Sequence, residues 1–394
     1  MWKTVKLGDV CKINNGGTPK SKVSDYWGEG IHWLTPKDMG KLSGRYVSKT
    51  ERQISQEGLA NSSAKLIPQD SVILSCRAPI GHVAINEAPM SFNQGCKGLV
   101  PSPAILVEYL YYFLIFSRQL LNDLGTGTTF KEISGKTLAN VDVPLPPLSE
   151  QQRIVAKLDA AFAEINRAID VAESKYTEVE KLKAALLASA LNGEDWKKLK
   201  LGDVCKIVNG STPLRKESKF WADGDVPWFT IDDMRLQGRD IFSTAQHVTQ
   251  AAVEEKKVKL IPENSVLLCC TASIGEAAIA RKEMATNQQF NALTPLRDEL
   301  SCEYLYYITT TLKKQLMRVS GSTTISFVSM GKLREIEIPL PPLSEQQRIV
   351  AKLDAAFAEI DKSAESISEA RASYLALKSA ILAQELQPPE SKAA

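Results

Sequence analysis

The sequence predicts an α+β protein: two α/β heads, related by a pseudo-twofold axis and separated by a long antiparallel two-helix coiled coil. Three observations predict it. The stretch PLPPLSEQQRIVAKLDAAFAEI fills residues 144–165 and returns letter for letter at 339–360. Shorter echoes flank it: KLGDVCKINNGGTP (6–19) returns as KLGDVCKIVNGSTP (200–213), and SVILSCRAPIG (71–81) as SVLLCCTASIG (265–275). Such self-similarity at a fixed offset marks a tandem repeat. Finally, each proline cluster leads into a long run free of proline and glycine with apolar residues every three or four positions, the pattern of an amphipathic helix. The expected division is a first head at 1–143, a central helix at 144–192, a second head at 193–338, a C-terminal helix at 339–386 and a disordered tail at 387–394.

The heads read as mixed structure. VILS, VAIN and VDVP, with their counterparts VLLC, AAIA and IEIP, are short β-branched or apolar runs between Gly, Pro and Asn turns, as expected of strands. EYLYYFLIFSRQLLNDL (108–124) and EYLYYITTTLKKQLMRV (303–319) read as helices. Trp27 and Trp33 answer to Trp221 and Trp228 and are expected in the core rather than as stacking groups. The same holds for Tyr111, Tyr112, Tyr306 and Tyr307.

Pro144, Pro146 and Pro147 exclude a helix or a central strand and predict a stiff extended connector. Ser149 then suits an N-cap, with Gln152 three residues on as in a capping box, and Gly193 suits a C-cap. The first helical seam runs through Ile154, Leu158, Phe162, Ile165, Ile169, Ala172, Tyr176 and Val179. The second runs through Ile349, Leu353, Phe357, Ile360, Ala364, Ile367, Tyr374 and Ile381. Pairing the two helices buries both seams, and an unbroken helix of this size would extend roughly 66 Å.

Composition narrows the function. The formal net charge over 394 residues is only +2, so any nucleic-acid contact relies on local placement of charge. Seven cysteines without a C-x-x-C spacing suggest reduced thiols in an intracellular protein. No apolar run reaches membrane-spanning length; a cytoplasmic location is expected. An adenine methyltransferase needs a glycine-rich cofactor loop and an N/D-P-P-Y/F/W tetrapeptide, and neither occurs. The three histidines, His32, His82 and His247, form no metal or triad motif, so no metal site and no catalytic residue is expected. GTGTTFKEISGKT (125–137) ends like a phosphate-binding loop, but Phe130 stands where that loop needs glycine. The second copy carries Leu333 where a hydroxyl is needed.

Two similar heads on one spacer suit a bipartite duplex site, because half-site separation mirrors protein symmetry. The repeats agree in their scaffold and differ between scaffold motifs, as one frame reading two half-sites would. The candidate DNA-binding residues in the first head are Lys20, Lys22, Lys37, Arg45, Arg77, Asn93, Gln94 and Lys97. Those in the second are Arg215, Lys216, Arg235, Arg239, Gln288, Gln289 and Asn291. Arg and Lys suit guanine edges and phosphates; Asn and Gln suit adenine. Thr126, Thr128, Thr129 and Lys131, with Ser322, Thr323 and Thr324, lie in small-residue loops read either as phosphate contacts or as plain connections. Glu150, Gln151 and Arg153, repeated as Glu345, Gln346 and Arg348, offer the same face twice, either for partner docking or for the internal seam.

The combination of I-H-W-L-T and V-P-W-F-T, each followed by D-M, then G-T-T-x-x-x-x-S, then PLPPLSEQQRIV before a long helix, closely resembles the specificity subunits of type I restriction–modification systems. The resemblance covers essentially the whole chain. It implies a non-catalytic DNA-binding subunit that reads a bipartite target and positions two modification (methyltransferase) subunits, with two restriction subunits in the full complex. It implies no cofactor on this chain; S-adenosylmethionine, and ATP and Mg for restriction, would belong to the partners. The rival expectation is a coiled-coil scaffold with two protein-binding heads and no DNA contact, which the salt dependence of DNA binding would separate.

Overall fold

The computed structural model describes residues 2–77, 79–127, 131–193, 195–296, 298–320 and 327–388. It divides into two units: Met1–Glu173 with Ser368–Ala394, and Ser174–Ile367. Each unit takes in one head and a part of both long helices, so the division cuts across the helices that the sequence sets apart as domains. The expected tail at 387–394 lies outside the described residues from 389 onward.

In the first unit a five-stranded sheet runs in the order Cys11–Asn15, Cys96–Pro101, Val72–Cys76, Ile80–Asn86, Tyr46–Val47. It is antiparallel except for the last pair. Val72–Cys76 is buried along its whole length, because both faces are covered. Val72, Leu74 and Cys76 face a core with Tyr109, Leu110 and Phe113 of the helix Val107–Phe116. Ile73 faces a second core with Leu34, Met90 and Phe92, from the side of a three-stranded sheet of Gln53–Ile54, Trp27–Leu34 and Ser91–Phe92. The pleat alternates side chains between faces, and a strand covered on both reads as a continuous apolar run. A two-stranded ribbon of Lys3–Lys6 and Asp142–Leu145 ties the chain's start to the proline hinge.

The second unit repeats this plan. Its large sheet runs Cys205–Asn209, Phe290–Pro295, Ser265–Cys269, Ala277–Ala280, Asp240–Ile241, its small sheet Gln246–Val248, Val226–Phe229, Ala285–Thr286, and its ribbon pairs Lys197–Lys200 with Glu337–Leu340.

Several local expectations change. Each EYLYY helix is two helices, Val107–Phe116 and Arg118–Leu124 in one head, Cys302–Thr311 and Lys313–Val319 in the other. The break lets the second helix come in close beneath a glycine turn. A Cβ on Gly81 would lie 2.6 Å from Arg118, and one on Gly275 2.8 Å from Lys313; both glycines have positive φ, a conformation glycine adopts without cost. The long helices are Leu148–Ala190 and Leu343–Leu386, so Ser149 and Ser344 stand inside the first turn. Pro147 takes the cap position instead, its carbonyl accepting the amides of Glu150 and Gln151, as Pro342 does for Glu345 and Gln346. Gly193 follows the helix end by three residues. Its role is close approach, since a Cβ there would meet the Trp196 ring at 2.2 Å.

Within each unit the long helices pair antiparallel. In the first, Lys157 meets Glu385 at 2.8 Å, Asn166 meets Lys378 at 3.1 Å and Glu173 meets Arg371 at 3.1 Å; numbers rise on one helix as they fall on the other. In the second, Lys183 meets Asp361 at 2.9 Å. Ile154, Leu158, Phe162 and Ile165 are buried with Leu382 and Leu386, and Ile349 and Leu353 with Leu191. Tyr176, expected in the seam, is 46% exposed.

Candidate nucleic-acid interface

The motif I/V-x-W-x-T builds the floor of the candidate interface. Its threonine ends a strand and starts a short helix: Thr35 caps Pro36–Met39, with Asp38 reaching back to the Thr35 amide at 2.9 Å. Thr230 and Asp233 repeat this capping box, the amide of Thr230 donating to Asp233 at 2.7 Å. Opposite lies the loop Asn93–Gln94–Gly95. The Asn93 Oδ1 accepts from the Gly95 amide at 3.0 Å, and the Asn287 Oδ1 accepts from the Gln289 amide at 2.9 Å. The Thr18 hydroxyl bonds to Gln94 and the Thr212 hydroxyl to Gln288, tying this loop to the N-G-G-T-P or N-G-S-T-P turn.

In the first head these parts enclose a cleft of about 460 Å³ lined by Thr35, Pro36, Lys37, Arg77, Asn93, Gln94 and Gly95. Four of the lining residues, Lys37, Arg77, Asn93 and Gln94, were singled out in the sequence. Lys37 shares Glu51 with Lys41, and Arg77 lies 3.8 Å from Glu132. At the matching positions the second head places Asp232 for Lys37, Thr271 for Arg77 and Gln289 for Gly95. The frame is the same and the rim chemistry differs.

Other candidates sit as follows. Lys20, Lys22, Thr126, Lys131, Arg215, Lys216, Arg235 and Gln288 are exposed; Arg235 lies 3.9 Å from Asp232. Thr128, Thr129, Ser322, Thr323 and Thr324 lie outside the described residues. Lys97 and Asn291 occupy one equivalent strand position and are buried, 7% and 0% exposed. Both belong to the sheet interior, where Asn291 accepts from Asn209 at 3.2 Å.

Arg45 and Arg239 are engaged by the long helices instead. Arg45 makes a two-toothed pair with Asp159 at 2.6 and 2.9 Å, and the Tyr112 hydroxyl bonds to the same carboxylate. Arg239 meets Asp354 at 2.6 Å, again with a tyrosine, Tyr307, on the carboxylate, and a second carboxylate, Asp240, at 2.9 Å. Burial alone would raise the Asp159 pKa, but the hydrogen bonds from Arg45 and Tyr112 and the Arg45 charge outweigh it and hold the carboxyl below its ordinary value. The arginine, tyrosine and aspartate are repeated in the sequence, and that was the available signal for this joint.

Gln151 and Gln346 are fully buried and so are not docking residues. The Gln151 side chain accepts from the Leu106 amide at 2.8 Å and donates to the carbonyls of Ala104 and Pro146 at 3.0 and 2.9 Å. Gln346 does the same for Ser301, Glu299 and Pro341. Glu150–Arg153 and Glu345–Arg348 are ion pairs on the outer helix face. Among the described residues no group of three or more His, Cys, Asp or Glu could hold a metal, and no helix is long and apolar enough to cross a membrane.

Comparison with known proteins gives a consistent answer. The model of the family described as type I restriction modification DNA specificity domain matches residues 1–172 and 193–370. The chain is 27% identical over 383 residues to the type I restriction enzyme MjaIX specificity subunit of Methanocaldococcus jannaschii, covering 91% of this chain and 87% of that one. It is 37% identical over 166 residues to the EcoR124I/EcoR124II specificity subunit of Escherichia coli, 40% of each chain. Among solved structures, a chain from a study of assembly and conformational transition of the type I R-M system shares the fold at TM-score 0.80 and 23% identity, with 98% of this chain and 97% of that one covered. The HsdS subunit from Thermoanaerobacter tengcongensis aligns at TM-score 0.51 and 22% identity, covering 98% and 96%.

Proposed function

The chain belongs to the type I restriction–modification DNA specificity family, and from that premise we propose that each of its two heads reads one half of a bipartite duplex target through the rim of the threonine–asparagine cleft. Its role is specificity, not catalysis. The observation that carries the reading is the repeated frame with a changed rim: the capping threonine and the Asn–Gln loop recur, while Lys37, Arg77 and Gly95 give way to Asp232, Thr271 and Gln289. A guanidinium or ammonium suits guanine O6 and N7, a carboxylate suits the cytosine amine, and an amide suits adenine, so the two rims select different bases. Arg45, Arg239, Lys97 and Asn291 are left out of this set, since their side chains serve the joint or the sheet. The partners are modification subunits that carry the methyl-transfer chemistry, two per chain, with restriction subunits joining them; S-adenosylmethionine, ATP and Mg belong to those partners.

The test is to reconstitute the chain with its modification subunits and map the methylated adenines in plasmid DNA. One split sequence with a fixed gap is expected, and exchanging residues 35–37 and 93–95 for their second-head counterparts changes one half of it. Methylation without sequence preference, or methyl transfer by this chain alone, refutes the reading.

A further inference from the structure

Each head carries an arginine braced on a pair of tryptophans, and the two arginines come from unrelated places in the repeat. Trp27 and Trp33 meet edge to face at 5.0 Å, and Trp221 and Trp228 at 5.1 Å. The frames agree in detail. The Trp33 indole donates to the Gly17 carbonyl at 2.9 Å and Trp228 to that of Ser211 at 3.1 Å. Trp27 donates to the Lys20 carbonyl and Trp221 to that of Leu214, both at 3.2 Å. Trp33 and Trp228 are buried; Trp27 and Trp221 are half-buried.

Over this frame lies a guanidinium. The Arg52 Cζ is 3.5 Å from the Trp27 ring centre and 5.6 Å from that of Trp33. The Arg215 Cζ is 3.8 Å from Trp221 and 4.7 Å from Trp228. Yet Arg52 directly precedes the strand Gln53–Ile54, while Arg215 follows the S-T-P turn. At the position matching Arg52 the second head has Gln246, and at the position matching Arg215 the first head has Ser21. The same charged group reaches the same rings by two routes, which points to a requirement for that charge at that place. Both arginines are exposed. The carboxylate beside Arg52, Glu51, is occupied by Lys37 and Lys41.

We infer that Arg52 and Arg215 bind DNA phosphates, one in each half of the target; this rests on the DNA-reading function proposed above. The two rims differ because two half-sites differ. A group placed alike in both heads meets what the half-sites have in common, and that is the phosphodiester backbone. A guanidinium presents a fixed fork of donors that matches phosphate, and stacking on tryptophan holds it in place before binding.

The test uses the reconstituted complex with its modification subunits and a labelled duplex bearing the mapped target, with binding measured by fluorescence anisotropy from 50 to 200 mM salt, a range over which each phosphate contact contributes to the slope. Arg52→Gln and Arg215→Gln should each flatten the slope of log affinity against log salt by about 0.9, and the double variant by about twice that. Preference for the target over single-base half-site variants should not change. Arg52→Lys keeps the charge but not the brace, so it should hold the slope and weaken binding at every salt concentration. An unchanged slope with a lowered melting temperature would make the arginines packing groups, and altered half-site preference would make them base readers; either overturns the inference. A wild-type complex with no target-selective binding would instead overturn the function reading itself.

Discussion

The joint between the first head and its long helix should behave as a coupled unit centred on Asp159. Asp159→Ala removes two charge-assisted bonds from Arg45 and takes away the acceptor of the Tyr112 hydroxyl. The Arg45 and Asp159 side chains are 21% and 36% exposed. The pair therefore falls between exposed ion pairs, worth about 0.2–1 kcal/mol, and buried ones, whose breakage costs about 3–5 kcal/mol. An Arg45–Asp159 coupling of about 1.5 kcal/mol is expected, and a total loss of about 3 kcal/mol for Asp159→Ala once Tyr112 is included. The assay is hydrogen exchange by mass spectrometry on Arg45→Ala, Asp159→Ala and the double variant, read at the strand Ile80–Asn86, with Ala277–Ala280 in the second unit as reference. The double variant should cost less than the two single losses added together, by the coupling. Strict additivity, within about 0.3 kcal/mol, would mean the side chains merely lie close, and the reasoning would be wrong. Arg239 divides its donors between Asp354 and Asp240, so the Arg239–Asp354 coupling should be the smaller of the two.

Gln151→Ala takes away three buried hydrogen bonds at the hinge and should cost about 3 kcal/mol at roughly 1 kcal/mol each, seen in urea unfolding and as faster exchange at the start of Val107–Phe116. Acid should loosen the second unit before the first. Against the opposing effect of burial, the Asp240 carboxyl is held below its ordinary value by Arg239 and Arg281, and the Glu303 carboxyl by its own backbone amide, Cys302 and Arg281, whereas the head–helix joint of the first unit has Asp159 in that state. A carboxylate with a lowered folded pKa contributes its full stability above the unfolded value of about 4 and loses it as pH falls through the folded one; exchange measured between pH 5 and 3 checks this, and equal loss in both units would contradict it. Reversing charge with Arg348→Glu and Lys352→Glu should leave the melting temperature within about 1 °C, since exposed helix charges contribute little to folding, and should weaken pull-down of the modification subunit if that face docks it.

Much of this was legible in the letters. The strands VILS and VAIN form because alternating residues meet two cores, as VLLC and AAIA do in the second head, whereas VDVP and IEIP bury one face and leave Asp142 and Glu337 exposed. The antiparallel helix pairing was readable from the seam, up to Tyr176, where the apolar pattern continues but the burial does not. Side-chain allegiance was not legible. Arg45 and Gln151 look like surface reader and docking group because a linear sequence does not show that Asp159, more than a hundred residues on, faces Arg45, or that a glutamine can satisfy a proline hinge. Arg52 was invisible for the opposite reason: the repeat aligns it with Gln246, so matching the copies hides the match in space.

These allegiances bear on why the segment 144–165 is identical in both copies. Gln151, Ile154, Leu158, Asp159, Phe162 and Ile165 all face inward or onto the head: Gln151 satisfies the hinge, Asp159 holds Arg45, and Phe162 meets the Tyr112 ring at 5.5 Å. Since their partners recur in the second head, internal packing accounts for their identity. The outward residues are different. Arg153 and Lys157 meet Glu385 of the C-terminal helix, but the residue matching Glu385 in the central helix is Ala190. Among the described residues, Arg348 and Lys352 therefore have no counterpart of the Glu385 contact on their neighbouring helix, although they are the same residues in the same order. The Glu150–Arg153 and Glu345–Arg348 pairs recur in both copies, but the contact across to the neighbouring helix does not, so that contact is not what keeps these residues the same. Identity without a shared partner on the neighbouring helix is what a shared external partner would impose, or what recent copying of the segment would leave, and the charge reversals at Arg348 and Lys352 distinguish those two origins.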